Sequence, residues 1–397
     1  MQLIKIKRKL NKKFVYKRSF DDIRKIISDH RINFFIGTSF SSPLLKPQRN
    51  IDLILNAIGI GNKNYYKVKA YLLWNFFHKS IYPLLQLDLD IMPQKQFTHN
   101  IKSILTNDAI TLLTKQINVF TTNFDPLLEM GFNKKNDIEY NDGLFGKTVP
   151  VFSIDNYMDL KTDQILYYDD HNSIHEEAGI QDYTDKPVID IFKLHGSLTW
   201  RKNSINNNIE YVDYHTIIFN FNNKYREIFD SEITNDIDIL SDQELNERKT
   251  IKTVKRIFRG YNSAKLDKYI NQFLDDFYNT FMIVDPITRK FLSVELEVYY
   301  RKLLKVFQDE LSKEKALLLV FGSLFKDEHI RQTILNVLKC SSLSLFIFCK
   351  NEAEVKKFQS YFTENNDRIS LIYPSKTDYT LYDFNYFLEL INKNSKK

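Results

Sequence analysis

The sequence has few of the residues that mark several classes of protein. Its 397 residues include two cysteines, Cys340 and Cys349, which are too few for a disulfide framework or a four-ligand zinc site. Ten glycines and nine prolines exclude a collagen-like or linker-rich chain. No apolar run approaches the roughly 20 residues of a membrane span, and the N-terminus lacks the apolar segment of a secretory signal. These absences predict a cytoplasmic protein with no membrane association.

Acidic residues are missing from the first 18 positions, which carry eight lysines and arginines, although the net charge of the whole chain is only +6. We predict that residues 1–18 form a basic N-terminal arm outside the core. A solvated tail fits this composition, and so does a docking segment for an acidic partner or nucleic acid. A role for nucleic acid therefore stays open.

Apolar residues are plentiful and occur in short continuous runs. Hydrophobic residues make up 43% of the chain and aromatic residues 14%, which is ample for a large core. Six continuous runs are typical of parallel strands that are covered on both faces. They span residues 32–37, 117–123, 188–194, 316–322, 343–349 and 368–374. Helical patterns alternate with them, which predicts an α/β fold, a Rossmann-like, doubly wound and mainly parallel sheet.

Two stretches interrupt this alternation of strands and helices. Residues 44–115 and 215–310 are mainly helical in pattern. We expect them to be large helical insertions that form a second lobe. The remaining parts of residues 19–397 would form a single Rossmann-type domain around the sheet.

Four of the six apolar runs end in small or polar residues. In chain order these are Gly37, Thr38, Ser39 and Ser41, then Thr122, Asn123 and Asp125, then His195 and Gly196, and finally Gly322, Ser323 and Asp327. In open α/β sheets, ligands bind beyond the carboxyl ends of the strands, where the strand order switches. The four clusters are therefore predicted to lie along one edge of the sheet.

Each cluster taken alone also fits a structural role. The loop after residue 36 has neither a GxGxxG nor a GK[ST] motif, so it can be an ordinary turn. Asp125 and Asp327 can cap helices, and His195 can be a buried structural histidine. His171 and His175 stand four residues apart beside carboxylates, but they do not form an HExxH motif. No metal site is predicted.

In this order and context, the four clusters resemble the sirtuin family, and most closely the sirtuin-like domains of bacterial antiphage defence. GTSFS stands where that family has its phosphate loop, and TTNFD stands where it has Thr-Gln-Asn-x-Asp or Thr-Thr-Asn-Tyr-Asp. KLHGS carries the family's active histidine, and GSLFKDEHI matches a late segment of the bacterial branch. Two departures are that Ser39 replaces the loop's second glycine and that the two CxxC pairs of deacetylase sirtuins are absent.

The resemblance implies that NAD⁺ is the substrate and that the chain is a NAD⁺ glycohydrolase, which cleaves NAD⁺ to nicotinamide and ADP-ribose. It implies an effector of antiphage defence that depletes cellular NAD⁺. Asn123 and His195 would be catalytic, the amide acting on the ribose and on water, and the imidazole acting as a general base. The other clustered residues would bind the dinucleotide: Gly37, Thr38, Ser39 and Ser41 at the diphosphate, Ser323 and Asp327 near the adenosine half, and Thr122, Asp125, Gly196 and Gly322 elsewhere in the site.

An enzyme that consumes NAD⁺ needs control. The sequence ends soon after residue 390 without room for a sensor domain, so we expect control by homo-oligomerisation or by a separate partner. The resemblance implies that a HerA-type ATPase translocase is this partner. Two other functions stay open, a non-catalytic NAD⁺- or ADP-ribose-binding scaffold in a defence complex and a sirtuin-type protein deacylase. The missing cysteines argue against the deacylase, and no carboxylate cluster with metal spacing favours a nuclease.

Overall fold

The computed structural model describes most of the chain, and its contacts divide the chain into two units. The first unit comprises Met1–Phe40, Leu89–Leu194 and Tyr299–Lys397, and the second comprises Ser41–Asp88 and His195–Val298. The described residues are 2–6, 20–42, 44–45, 51–87, 93–106, 115–132, 139–145, 149–159, 187–203, 205–206, 208–229, 231–242, 247–259, 264–284, 294–323, 325, 327–362, 367–374 and 380–392. His171 and His175 lie outside these residues.

A parallel sheet of eight strands organises the first unit. The strands of the chain are β1 (Gln2–Ile6), β2 (Arg31–Ile36), β3 (Gln116–Thr121), β4 (Glu139–Asn141), β5 (Leu144–Phe145), β6 (Val151–Phe152), β7 (Val188–Lys193), β8 (Trp200–Lys202), β9 (Ile209–Tyr211), β10 (Ala316–Phe321), β11 (Ser344–Phe348) and β12 (Ile369–Pro374). The order in the sheet is β1-β12-β11-β10-β2-β3-β7-β4, and every neighbouring pair is parallel. All six predicted runs are strands, and the predicted Rossmann-like α/β fold is confirmed.

Helices make up most of the rest of the described chain. They are α1 (Phe20–Ser28), α2 (Ile51–Ile58), α3 (Tyr65–Phe76), α4 (Pro93–Thr106), α5 (Leu127–Gly131), α6 (Asn156–Asp159), α7 (Tyr214–Tyr225), α8 (Ser231–Asp242), α9 (Glu247–Ile257), α10 (Ala264–Thr280), α11 (Val294–Ser312), α12 (Glu328–Cys340), α13 (Glu352–Tyr361) and α14 (Leu381–Asn392). Among the described residues, no helix combines the length and apolar composition that crossing a membrane requires.

Both faces of the central sheet are covered, as neighbouring residues of β2 demonstrate. Phe34 meets Phe97 of α4 with ring centroids 5.9 Å apart, whereas Phe35 meets Phe307 of α11 at 5.7 Å. Side chains alternate between the two faces of a strand, so these contacts lie on opposite faces. This coverage explains why the strand sequences are continuously apolar rather than alternating.

One row of side chains across the sheet is polar although it is buried. Asn33, Asn118, Asp190 and Asn141 occupy aligned positions on β2, β3, β7 and β4. Asn118 donates to Asn33 Oδ1 at 2.8 Å, and Asn141 donates to Asp190 Oδ1 at 3.0 Å. A slip of any of these strands would leave buried polar groups unpaired, which is costly. The row therefore fixes the register of β2, β3 and β7, which are three of the four strands whose ends carry the predicted site.

The second unit is largely helical and has an aromatic core. Trp74 of α3 stacks on Phe229 at 4.8 Å, and Phe229 meets Phe273 of α10 at 4.7 Å. Strands β8 and β9 form an antiparallel pair in the same unit. The described parts of the predicted insertions 44–115 and 215–310 are mainly helical, but α4 and the residues of α11 from Tyr299 onward belong to the first unit.

The first residues of the chain include a strand that the sequence does not predict. Gln2–Ile6, within the predicted basic arm, form β1, which pairs in parallel with β12 at one edge of the sheet. Residues 7–18 of that arm lie outside the described residues.

Candidate functional site

The switch point in strand order lies between β2 and β10. From β2 the chain proceeds to β3 and β7 on one side, then returns to add β10, β11 and β12 on the other side. Adjacent connections that run in opposite directions open a crevice at the carboxyl ends of the strands. Gly37 follows β2 and Gly322 follows β10, so two of the four predicted clusters flank this point.

The loops after β2 and β10 touch through their backbones. Gly37 N–H donates to the carbonyl of Phe321 at 2.8 Å, and Ser39 N–H donates to the carbonyl of Gly322 at 3.3 Å. A Cβ on Gly37 would lie 2.5 Å from the carbonyl oxygen of Gly322, where backbone leaves no room for it. Gly322 has a φ of +72°, in the left-handed region that glycine adopts without strain. Both glycines are therefore required by the way these loops meet.

The loop after β2 is anchored by its aromatic residue. Thr38–Phe40 form a short 3₁₀ turn in which Thr38 is exposed, Ser39 is half-buried and Phe40 is buried. The carbonyl of Phe40 accepts a 2.6 Å hydrogen bond from Nε2 of Gln94, a fully buried residue of α4. The sequence does not identify Gln94 as an anchor of this loop, because nothing in the local pattern links it to a loop 54 residues away.

Asn123, which follows β3, contacts the loop that follows β2. Its side chain is only 4% exposed, and its Nδ2 donates to the carbonyl of Gly37 at 3.1 Å. Its backbone N–H donates to Oγ1 of Thr121 at 3.0 Å, and that hydroxyl donates to the carbonyl of Ile36 at 2.8 Å. The orientation of the Asn123 amide is thus set by the loop that follows β2.

Asp125 lies two residues further on and is also buried. Its Oδ1 accepts a hydrogen bond of 3.2 Å from the N–H of Leu127, the first residue of α5. The N-cap position of α5 is Pro126, so the N-cap role that the sequence allowed for Asp125 falls to the next residue, and Asp125 binds the first helical N–H from one position before the cap. The carbonyl of Asp125 accepts a hydrogen bond from Lys193 Nζ. Thr122, between β3 and Asn123, is half-buried.

In the cluster after β10, the side chains of Ser323 and Asp327 accept hydrogen bonds from the backbone. Ser323 Oγ accepts from the N–H of Phe325 at 3.2 Å, where Phe325 adopts a left-handed φ of 47°. Asp327 caps α12, since its Oδ1 accepts from the N–H groups of His329 and Ile330. The hydroxyl of Tyr300 donates to both carboxylate oxygens of Asp327, at 3.2 and 3.1 Å. Burial and the neighbouring carboxylate raise the pKa of Tyr300, so this hydroxyl stays a donor.

Replacement of Asp327 by alanine is expected to lower the free energy of unfolding by about 2 kcal/mol, because it removes the cap of α12 and the partner of a largely buried hydroxyl. Asp327→Asn keeps an oxygen for both contacts and is expected to lose well under half as much. Denaturant unfolding followed by circular dichroism measures both variants. Equal stability of Asp327→Ala and the unmodified protein would contradict the capping role.

Three predicted residues belong to the second unit. Ser41 is buried, and its carbonyl accepts from the N–H groups of Leu44 and Leu45 at 2.9 and 2.8 Å. His195 follows β7 by two positions, has a half-buried side chain, and accepts from the N–H of Val284 at 3.0 Å through its carbonyl. Gly196 has a φ of +81° and forms an isolated bridge with Ile283.

The backbone geometry explains the glycine after His195. A Cβ on Gly196 would lie 2.0 Å from the carbonyl oxygen of Met282, which also accepts from the N–H of Ser197 at 3.1 Å. No side chain fits at this position, and the left-handed φ excludes most residues independently. The glycine of the His-Gly-Ser sequence is therefore dictated by a close approach of two backbone segments.

Comparison with known protein families supports the resemblance. A family model described as a SIR2-like domain matches residues 117–240, from β3 to α8. The match contains the TTNFD and KLHGS motifs, whereas GTSFS and GSLFKDEHI lie outside it. A search of curated proteins gives no match. Over these residues the chain is therefore similar to SIR2-like domains, which are in general NAD-dependent enzymes.

Proposed function

We propose that this protein is a NAD⁺ glycohydrolase that cleaves NAD⁺ to nicotinamide and ADP-ribose, and that it depletes cellular NAD⁺ as an effector of antiphage defence. The observation that carries the proposal is the contact of Asn123 with Gly37 at the switch point of a parallel sheet, in a chain with a SIR2-like match. Dinucleotides bind at such switch points in doubly wound folds.

Support for dinucleotide binding comes from the two loops that meet beside this contact. Gly37 and Gly322 allow close backbone approach, and the neighbouring Thr38 and Ser39 bring hydroxyl groups to the same edge. In phosphate-binding sites that lack charged side chains, hydroxyl and backbone N–H groups donate the hydrogen bonds to the phosphate oxygens. The diphosphate of NAD⁺ would bind here.

The chemistry requires stabilisation of a cationic sugar. Breaking the bond between ribose C1′ and the nicotinamide nitrogen sends the electron pair to the departing neutral nicotinamide. The ribose then becomes oxocarbenium-like, as in glycoside hydrolysis, and is stabilised by nearby oxygen atoms. Asn123 anchors its nitrogen end to Gly37, so the oxygen end of its amide is the end that would face the ribose.

Water completes the reaction. Its oxygen bonds to C1′, and one of its protons must be removed. His195 would accept this proton, since histidine is the side chain best suited to general base catalysis near neutral pH. The leaving nicotinamide needs no acid, because it departs as a neutral molecule.

Chromatography of the products tests this proposal directly. Purified protein incubated with NAD⁺ is expected to release nicotinamide and ADP-ribose in equal amounts without any peptide. Release of O-acyl-ADP-ribose only when an acyl-lysine peptide is added would identify a deacylase instead. A rise in melting temperature with NAD⁺ that stays intact would identify a binding scaffold.

The proposal includes control by assembly, with a homo-oligomer and a HerA-type ATPase translocase as its components. The same product assay, repeated over a range of protein concentrations and with the purified ATPase, is expected to give a rate that rises with assembly. Sedimentation analysis under the assay conditions gives the oligomeric state. Intact NAD⁺ in every one of these mixtures would overturn the proposed activity.

A further inference from the structure

Lys193, the last residue of β7, is a fully buried lysine. Its side chain is 1% exposed, and lysine is almost never buried to this degree unless its charge is paired. It immediately precedes Leu194 and His195 in the chain, and its register partner in the sheet is Thr121, the last residue of β3. The ammonium group therefore lies at the edge of the sheet where the predicted site residues follow the strands.

Among the described parts of the chain, the ammonium group contacts two residues, both in the segment that follows β3. It forms a 2.8 Å ion pair with Oε1 of Glu129 on α5. It also donates a hydrogen bond to the backbone carbonyl of Asp125. One side chain from β7 thus holds the neighbouring loop and the short helix after it.

The counter-ion of Lys193 lies in an unfavourable environment. Burial raises the pKa of Glu129, and the Lys193 ammonium opposes this shift. Asp142, whose own pKa is raised by burial, adds repulsion, and it accepts a hydrogen bond from Tyr140. Among the described residues, Oε2 of Glu129 is buried without a hydrogen-bond partner.

A buried ion pair of this kind is a poor source of stability. Removing two charges from water costs as much as their attraction returns, and apolar replacements of similar volume are often as stable or more stable. Only one oxygen of the Glu129 carboxylate has a partner among the described residues, which makes the net contribution of the pair to stability less favourable. The contact that an apolar pair could not replace is the hydrogen bond from Lys193 to the carbonyl of Asp125.

That hydrogen bond completes a two-point attachment of the segment that carries Asn123. On one side, the amide of Asn123 is bound to Gly37 and its backbone N–H is bound to Thr121. On the other side, the carbonyl of Asp125 is bound to Lys193. Only Phe124 separates these two attachments, so the segment has little freedom to turn.

We propose that Lys193 is a positioning residue, which fixes the backbone at Asp125 and thereby holds the amide of Asn123 in its reactive orientation. The inference rests on the proposed function to the extent that Asn123 is catalytic. Misplacement of a reacting group by about 1 Å can cost about 100-fold in rate. The effect of losing Lys193 should therefore appear in turnover more than in substrate affinity.

The double variant Lys193→Met/Glu129→Gln tests this role, because it removes both charges and leaves no unpaired buried ion. We expect it to fold and to unfold at a temperature close to that of the unmodified protein. Amide hydrogen exchange at residues 122–125 should become at least about 10-fold faster, since local opening is no longer resisted. The kcat for NAD⁺ cleavage should fall about 100-fold, with KM changed by less than about threefold.

The double variant Lys79→Met/Asp238→Asn is the matched control. It removes another partly buried ion pair, between α8 and the π-helical turn Phe77–Ile81, within the second unit. Exchange at residues 122–125 and turnover should both stay at the level of the unmodified protein. The comparison separates loss of an ion pair in general from loss of the attachment at Asp125.

Hydrogen exchange keeps this inference separate from the proposed function. If the unmodified protein does not cleave NAD⁺, the proposed function fails, and exchange at residues 122–125 still decides whether Lys193 holds the segment. Unchanged exchange in the double variant overturns the positioning role. Faster exchange with unchanged kcat, where the unmodified protein cleaves NAD⁺, overturns its link to catalysis. A double variant that does not fold assigns the pair a structural role and also overturns the inference.

Discussion

Replacement of Asn123 by alanine is expected to lower the rate of NAD⁺ cleavage by about 100- to 1,000-fold, the usual cost of removing one preorganised polar group from a transition state. The amide nitrogen is held by Gly37, which fixes the direction of the amide oxygen before substrate arrives. The methyl group of alanine offers no oxygen to the developing ribose cation. Steady-state product formation with saturating NAD⁺ measures the effect on kcat.

The variant also leaves the carbonyl of Gly37 without its donor, so a loss of activity must be separated from a loss of fold. Asn75→Ala is a suitable control, because Asn75 is 3% exposed and donates to the carbonyl of Thr234 at 3.0 Å on α8. Both variants should lose about 1–3 kcal/mol of unfolding free energy. Only Asn123→Ala should lose turnover. Cleavage by Asn123→Ala at the rate of the unmodified protein would remove Asn123 from the mechanism.

Gly196→Ala is expected to have the largest effect on stability, a loss of about 4 kcal/mol or more of unfolding free energy. The left-handed φ of +81° alone costs a residue with a Cβ about 1–2 kcal/mol. The added Cβ would also lie 2.0 Å from the carbonyl oxygen of Met282, so one backbone segment must move. That movement would disturb the hydrogen bond between the carbonyl of His195 and Val284.

Substitutions at two other glycines separate the conformational cost from the steric cost in this loss of unfolding free energy. Gly59 has a φ of +75°, but no atom lies within 4 Å of the position that a Cβ would take there, so Gly59→Ala should cost only the conformational part, about 1 kcal/mol. Gly61 has open space and no left-handed φ, so Gly61→Ala should change stability by less than about 0.5 kcal/mol. Denaturant unfolding of the three variants measures the series. Equal losses at all three positions would show that the approach of Met282 does not constrain Gly196.

Much of the fold follows from local sequence pattern. The six apolar runs are strands within one or two residues of their predicted bounds, because a strand covered on both faces must be apolar at every position. The sequence pattern did not predict the edge strand β1. Its sequence mixes apolar residues with Lys5, as edge strands often do, and pairing with β12 is what makes it a strand.

Part of the candidate site is equally predictable. Parallel strands point their carboxyl ends to one edge, so polar residues after β2, β3 and β10 must approach one another. The structure has such contacts: Gly37 binds the carbonyl of Phe321, and Asn123 binds the carbonyl of Gly37. The placement of Ser41, His195 and Gly196 in the second unit had no local signal in the sequence.

Local sequence pattern is sufficient to predict the class of fold, the strands of its core and the small or polar residues that end them, because these depend on the burial of each strand and on the direction of the chain. The partner of each of these residues follows from the packing of the folded chain. Gln94 supports the carbonyl of Phe40, Tyr300 binds Asp327, and Lys193 holds Asp125. Such contacts join residues far apart in the chain, and the periodicity of the sequence does not predict them. A buried donor forms its hydrogen bond with whichever acceptor the packing brings within reach.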